Sequence, residues 1–177
     1  METFAAPKKM VDNPNFEAQK QSNLSGLKDH MIDAPIVEII KQFNRLPFCY
    51  TLQSCYGHFV YEGQTDRHKI VPLPATPILN PIEYRIAYIA FAIANSDAGH
   101  RFKYTLSELE AIDRDNIQFC SAEWFWEKQV NTFALQVEPD RFKHQDIAVL
   151  DYAEARRVEA VRNRFFDQIK QIEWKSL

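Results

Sequence analysis

Apolar and polar positions along the chain sort into helical, alternating and irregular stretches. The helical pattern is clearest near the C-terminus. Ala155, Val158, Arg162, Phe165, Ile169 and Ile172 recur three or four residues apart within 151–174, with charge on the other faces. Ile36, Ile39, Ile40 and Phe43 share that spacing over 34–44, where Pro35 suits a first turn and Pro47 closes the segment. Residues 48–54 read as a strand, being rich in aromatic and β-branched types. Alternation over 117–126 and 132–137, joined by 127–131, predicts a hairpin with Trp124 and Trp126 on one face and Phe125 on the other.

Between these lie less decided stretches. Residues 84–94 (YRIAYIAFAIA) suit either a buried helix or a strand buried on both faces, and we favour a central strand. Ser96 or Asp97 is placed to cap the following helix, and Thr105 to Glu108 resembles a capping box leading into 106–112. Residues 65–81 contain Pro72, Pro74, Pro77 and Pro81 and form a loop. Residues 139–145 are another loop. Residues 1–33, polar and punctuated by Pro7, Pro14 and Gly26, read as an extended or partly ordered N-terminal arm. The order helix, strand, loop, strand, helix, hairpin, helix over 34–177 predicts a single α+β domain. Its expected form is two-layer, a mostly antiparallel sheet with helices packed on it.

Composition narrows function mainly by exclusion. The 46% apolar and 25% charged residues are ordinary for a globular chain. A net charge of −3 gives no global pull toward nucleic acid or anionic membrane. The longest apolar run, 84–94, is too short to span a bilayer, so no membrane partner is expected. Three cysteines, Cys49, Cys55 and Cys120, form no disulfide framework and fit a reducing cytoplasm.

The candidate chemistry gathers where the strand 48–54 ends. Ser54, Cys55, Gly57 and His58 bring a hydroxyl, a thiol, a permissive backbone and an imidazole into five positions, taken as a site loop over 55–63. Several readings are open. Cys55 and His58 are spaced like half of a zinc site, but no second pair follows, so no metal is expected. Cys55 with His58 as base would be a nucleophile without an identified orienting group. A turn that converges backbone N–H groups on an anion or carbonyl is the favoured reading, with Thr51 and Ser54 donating and Gly57 allowing close backbone approach. His58 would then donate a hydrogen bond or transfer a proton. The plain alternative is a strand end with Cys55 buried as a small hydrophobe. Arg67, Lys69 and His100 are candidates for the edge of the same cleft. Arg162 lies on a core-facing row, where a Glu such as Glu123 or Glu138 is its expected partner.

The stretch Thr51-Leu52-Gln53-Ser54-Cys55-Tyr56-Gly57-His58 resembles a T-x-x-S-C-x-G-H signature of uncharacterised bacterial proteins. It is also similar to the S-S-C-S-G-R segment of the wybutosine-synthesising protein 3 family, with Ser54, Cys55 and Gly57 matching and Gln53 and His58 replacing the flanking Ser and Arg. The resemblance implies an α+β fold, a site at this loop and, by family, methylation of a modified tRNA guanosine with S-adenosylmethionine. No Gly-rich dinucleotide or P-loop motif names a cofactor. The expected function is binding of a small polar or nucleotide-like ligand at Ser54 to His58. The alternatives are an RNA- or nucleotide-modifying enzyme and a structural protein forming a homodimer.

Overall fold

The computed structural model describes residues 4–64, 66 and 69–174. Among the described residues, seven strands form two antiparallel sheets. Strands β1 (Cys49–Cys55), β4 (Ala87–Ile93), β6 (Thr132–Val137) and β5 (Ile117–Ser121) make the first, in that spatial order. Strands β2 (His58–Val60), β3 (Ile82–Arg85) and β7 (Ile147–Leu150) make the second. Five helices pack on them: α1 (Phe16–Gly26), α2 (Val37–Arg45), α3 (Asp97–Ser107), α4 (Glu123–Trp126) and α5 (Tyr152–Gln171). This is the α+β fold that the residue pattern predicts, with the strands divided between two sheets.

Helix α2 buries Ile39, Ile40 and Phe43, with Ile36 in the 3₁₀ turn before it. Phe43 meets Phe91 of β4, Phe102 of α3 and Trp174 beyond α5, with ring centroids 5.2–6.0 Å apart. This edge-to-face cluster joins α2, β4, α3 and the segment after α5 in one core. Ser96 caps α3 through its side chain, which accepts from the Gly99 amide, and Asp151 caps α5 by accepting from Glu154. Thr105 falls inside α3, and the expected second start is a 3₁₀ turn over Glu108–Ile112.

Three expectations change. The run 84–94 is strand, but it breaks at Ile86, leaving β3 in one sheet and β4 in the other. The 117–137 hairpin forms, but Trp124, Phe125 and Trp126 lie in the short helix α4 within its connection and so do not alternate across a sheet. The segment 4–33 carries a helix, because it has apolar and polar partners on the body. Phe16 packs tilted against Tyr50 with ring centroids 5.2 Å apart, and Asn131 accepts from the Val11 amide and donates to its carbonyl at 2.8 and 2.7 Å. Phe4 and Ala5 add backbone bonds to Lys143 and Ser121. This segment covers the face of the first sheet opposite α2.

Candidate functional site

The site lies where one two-stranded ribbon bends from the first sheet into the second. In β1 a bulge between Thr51 and Gln53 shifts the register against β4 by one residue. From there one register holds without interruption: Gln53 opposite Ala90, Cys55 opposite Tyr88, then His58 opposite Arg85 and Val60 opposite Glu83. Thus β1–β2 and β3–β4 are a single bent hairpin. Tyr56 and Gly57 form the corner on one strand, across from Ile86 and Ala87 on the other.

Gly57 is what allows the bend. Its φ is +91°, and a Cβ there would stand 2.9 Å from Ala87 Cβ and 3.0 Å from the Tyr84 hydroxyl. Tyr84 is fully buried and braces the β3–β4 bend against β6, donating to the Val137 carbonyl at 2.8 Å and accepting from the Ala87 amide at 3.0 Å.

Arg162 of α5 clamps the corner from outside. It is 4% exposed, and its Nη1 donates to the Gly57 carbonyl at 3.0 Å. Its guanidinium lies 4.3 Å from the Tyr56 ring centroid and 5.2 Å from that of Phe59. Nε and Nη2 donate to Asn163 Oδ1, which also accepts from the Tyr56 hydroxyl at 2.8 Å. The expected Glu partners are engaged elsewhere, Glu123 by Lys8 and Glu138 by Gln136. The arginine on the core-facing row therefore serves the turn.

Three reactive groups converge at this corner: the Asp33 carboxylate, the Cys55 thiol and the His58 imidazole, with one donor atom from each within 4.8 Å of the others. All three residues are half-buried. Asp33 precedes the turn into α2 without capping it; its Oδ2 instead accepts from the Tyr56 amide at 2.7 Å and lies 3.5 Å from His58 Nε2. Asp33 and Cys55 together push the His58 pKa up to about 9 against the effect of burial. Burial alone would raise the Asp33 carboxyl, but His58 and the Tyr56 amide outweigh it and hold it below the ordinary value. The arrangement is not a nucleophile–base–carboxylate relay. A relay uses both imidazole nitrogens, one toward the nucleophile and one toward the acid. Here the carboxylate sits at Nε2, and Nδ1 is buried without a hydrogen-bond partner among the described residues.

The residues singled out by sequence fare differently. Cys55 and His58 come together as expected. Gly57 is essential to the turn, but the space beside it is filled by Ala87 and Tyr84, so no ligand approaches its backbone there. The expected nest of amides is also occupied: the Tyr56 N–H goes to Asp33 and the Gly57 N–H to Cys55 Sγ at 3.4 Å. Thr51 is buried, and its amide and hydroxyl both donate to Asn44 Oδ1 at 2.8 and 3.1 Å. Ser54 pairs with Ile89 and Cys55 with Tyr88, so the two side chains point to opposite faces. His100 lies on α3, which follows the far end of β4, and contacts Asn95 just before that helix. The ribbon from Cys49–Ile93 to Cys55–Tyr88 puts roughly 20 Å between that end and the corner. Lys69 is exposed in the β2–β3 connection, and Arg67 lies outside the described residues.

Sequence reasoning missed Asp33, Tyr56 and Asn163. Asp33 looks like an ordinary residue before a helix, and only the fold brings it 22 positions forward to Cys55. Two open depressions of about 390 and 600 Å³ elsewhere on the surface are lined by none of the three converging residues. Their charged groups include pairs such as Arg141–Glu154, and they hold no thiol or imidazole.

No family model and no curated protein matches the chain. Among solved structures it is similar to the PH1069 protein from Pyrococcus horikoshii, at 14% identity and a TM-score of 0.44, over 88% of this chain and 93% of that one. It is also similar to a hypothetical protein from Aeropyrum pernix, at 12% identity and a TM-score of 0.32, over 80% and 99% of the two chains. At these values the likeness carries no argument about function.

Proposed function

We propose that the bent corner Ser54 to His58, completed by Asp33, is a site for a small polar or nucleotide-like ligand. The observation that carries this reading is the convergence of a carboxylate, a thiol and an imidazole from segments 22 residues apart. They meet on a corner that Arg162 and Tyr84 hold rigid from behind. A strand end that merely buried a cysteine would have no use for a second-segment carboxylate aimed at the imidazole. Because the corner's amides are already bonded, recognition falls to side chains, with His58 donating and Asp33 accepting.

The test is a thermal-shift screen of chelator-treated protein against nucleotides, nucleosides, S-adenosylmethionine and short RNAs. A ligand that binds only the folded state raises the melting temperature with its occupancy. The expected result is a shift with one chemical class, lost in His58→Ala and in Asp33→Asn. A shift that survives both substitutions places the ligand elsewhere and overturns the reading.

A further inference from the structure

The corner also holds the donor types that a zinc-class cation takes: a carboxylate oxygen, a thiolate sulfur and an imidazole nitrogen. Its spacing fits coordination better than hydrogen bonding. Asp33 Oδ2 and His58 Nε2 are 3.5 Å apart, beyond the ~2.7–3.2 Å of a good N–H···O bond. Ligands about 2.0–2.3 Å from a tetrahedral ion lie roughly 3.3–3.8 Å from one another, so this pair already forms one edge. The thiol sulfur lies within 4.8 Å of one donor atom of each partner, close enough for a side-chain adjustment to close the face.

The surroundings suit an ion as well. The Tyr56 amide donates to the same Asp33 Oδ2 at 2.7 Å and holds the carboxylate in place, the kind of supporting contact that metal ligands have. The two flanks of a rigid bend carry Cys55 and His58. The Asp33 and His58 side chains are 25% and 13% exposed, so an ion can enter and then shed most of its water. Charge balances too: a divalent ion against one carboxylate and one thiolate, beside a neutral imidazole, leaves the half-buried corner uncharged.

We infer that Asp33 Oδ2, Cys55 Sγ and His58 Nε2 bind one divalent cation of the zinc class. The inference rests on reading this corner as the functional site. On binding, the thiol and the imidazole Nε2 give up their protons to solvent and the ion takes their place. Three protein donors leave a fourth tetrahedral position for water or for a heteroatom of the polar ligand, the pattern of a reactive rather than a purely structural site. Magnesium and calcium, which take oxygen donors, do not match this set.

The experiment is a titration of the full-length, chelator-treated protein with Co²⁺, a spectroscopic stand-in for zinc. Thiolate ligation gives a near-ultraviolet charge-transfer band, and four-coordination gives intense visible bands. The expected result is saturation at one equivalent, bleaching by Zn²⁺, loss of the band in Cys55→Ser, and at least tenfold weaker binding in Asp33→Asn. Cys49 and Cys120 are fully buried, so they remain silent. Both variants are near-isosteric, and their far-ultraviolet circular dichroism should match the wild type. Absence of the band in wild-type protein, or its survival in Cys55→Ser, overturns the inference. The two proposals fail separately. A ligand shift in chelator-treated protein without a cobalt band sinks the metal alone, and a cobalt band with no ligand shift in either the chelator-treated or the zinc-loaded protein sinks the ligand reading alone.

Discussion

Arg162→Met tests whether the corner depends on its clamp. Methionine keeps most of the aliphatic stem, so the loss falls on the guanidinium. The Gly57 carbonyl loses the hydrogen bond from Nη1, and an unsatisfied buried acceptor costs roughly 1–3 kcal/mol. The cation–π contact with Tyr56 at 4.3 Å is also lost, worth about 2 kcal/mol for a desolvated pair. Relief from burying a charge at 4% exposure returns part of this. The net expectation is about 2–4 kcal/mol of lost stability. Urea unfolding followed by tryptophan fluorescence should show a lower midpoint at unchanged slope, the signature of altered stability alone. Arg162→Lys separates charge from geometry. Lysine keeps the charge but lacks the planar fork that reaches Gly57 and Asn163 together, so it should recover only part of the loss. A cost below about 1 kcal/mol for methionine, or full recovery by lysine, would refute the clamp argument.

Further outcomes follow from neighbouring features. Gly57→Ala adds a Cβ 2.9 Å from that of Ala87 at a φ of +91°, and should cost about 2–4 kcal/mol in the same assay; a neutral substitution would mean the bend relaxes freely. Glu138 is fully buried, and burial, with Asp146 and Asp140 nearby, pushes its pKa from 4.5 up to about 9. The folded state therefore holds this proton where the unfolded chain has lost it, and stability falls as pH rises between those two values. Glu138→Gln should gain on the wild type by about 3–4 kcal/mol between pH 5 and pH 8; a pH-independent difference in urea unfolding would contradict this. Asn131→Ala removes both bonds to Val11 and places alanine at a φ of 60°. Limited proteolysis should then cut within residues 4–15 far sooner than in the wild type, and an unchanged cleavage rate would show that other contacts hold this segment.

The elements readable from sequence are those whose signal is local. The apolar stripe of α5, the isoleucines leading into and along α2, the strand β1 and the β5–β6 pairing all appear where periodicity places them. Arg162 was visible as an anomaly because a cation on a core-facing row demands a partner, although the partner proved to be a backbone carbonyl and not a glutamate. Periodicity could not show the break at Ile86, since the run is apolar on both sides of Arg85 and a bend between sheets leaves no gap in hydrophobicity. Strand β7 escaped notice for a related reason: it has four residues at a sheet edge, too few for alternation to register.

For the candidate site, the sequence by itself determined that a thiol, a flexible backbone and an imidazole sit within four positions at a strand end. It also singled out Gly57 as a backbone position, but the reason is tertiary: φ is +91° and Ala87 is pressed against it. Tertiary structure decided the rest. It removed His100, because adjacent antiparallel strands finish at opposite ends of a sheet. It withdrew Thr51 into a bond with Asn44, and it spent the corner's amides on Asp33 and Cys55. It added Asp33, whose approach to His58 depends on where α2 docks against β1. Such contacts are set by packing between distant segments, which no window of neighbouring residues records.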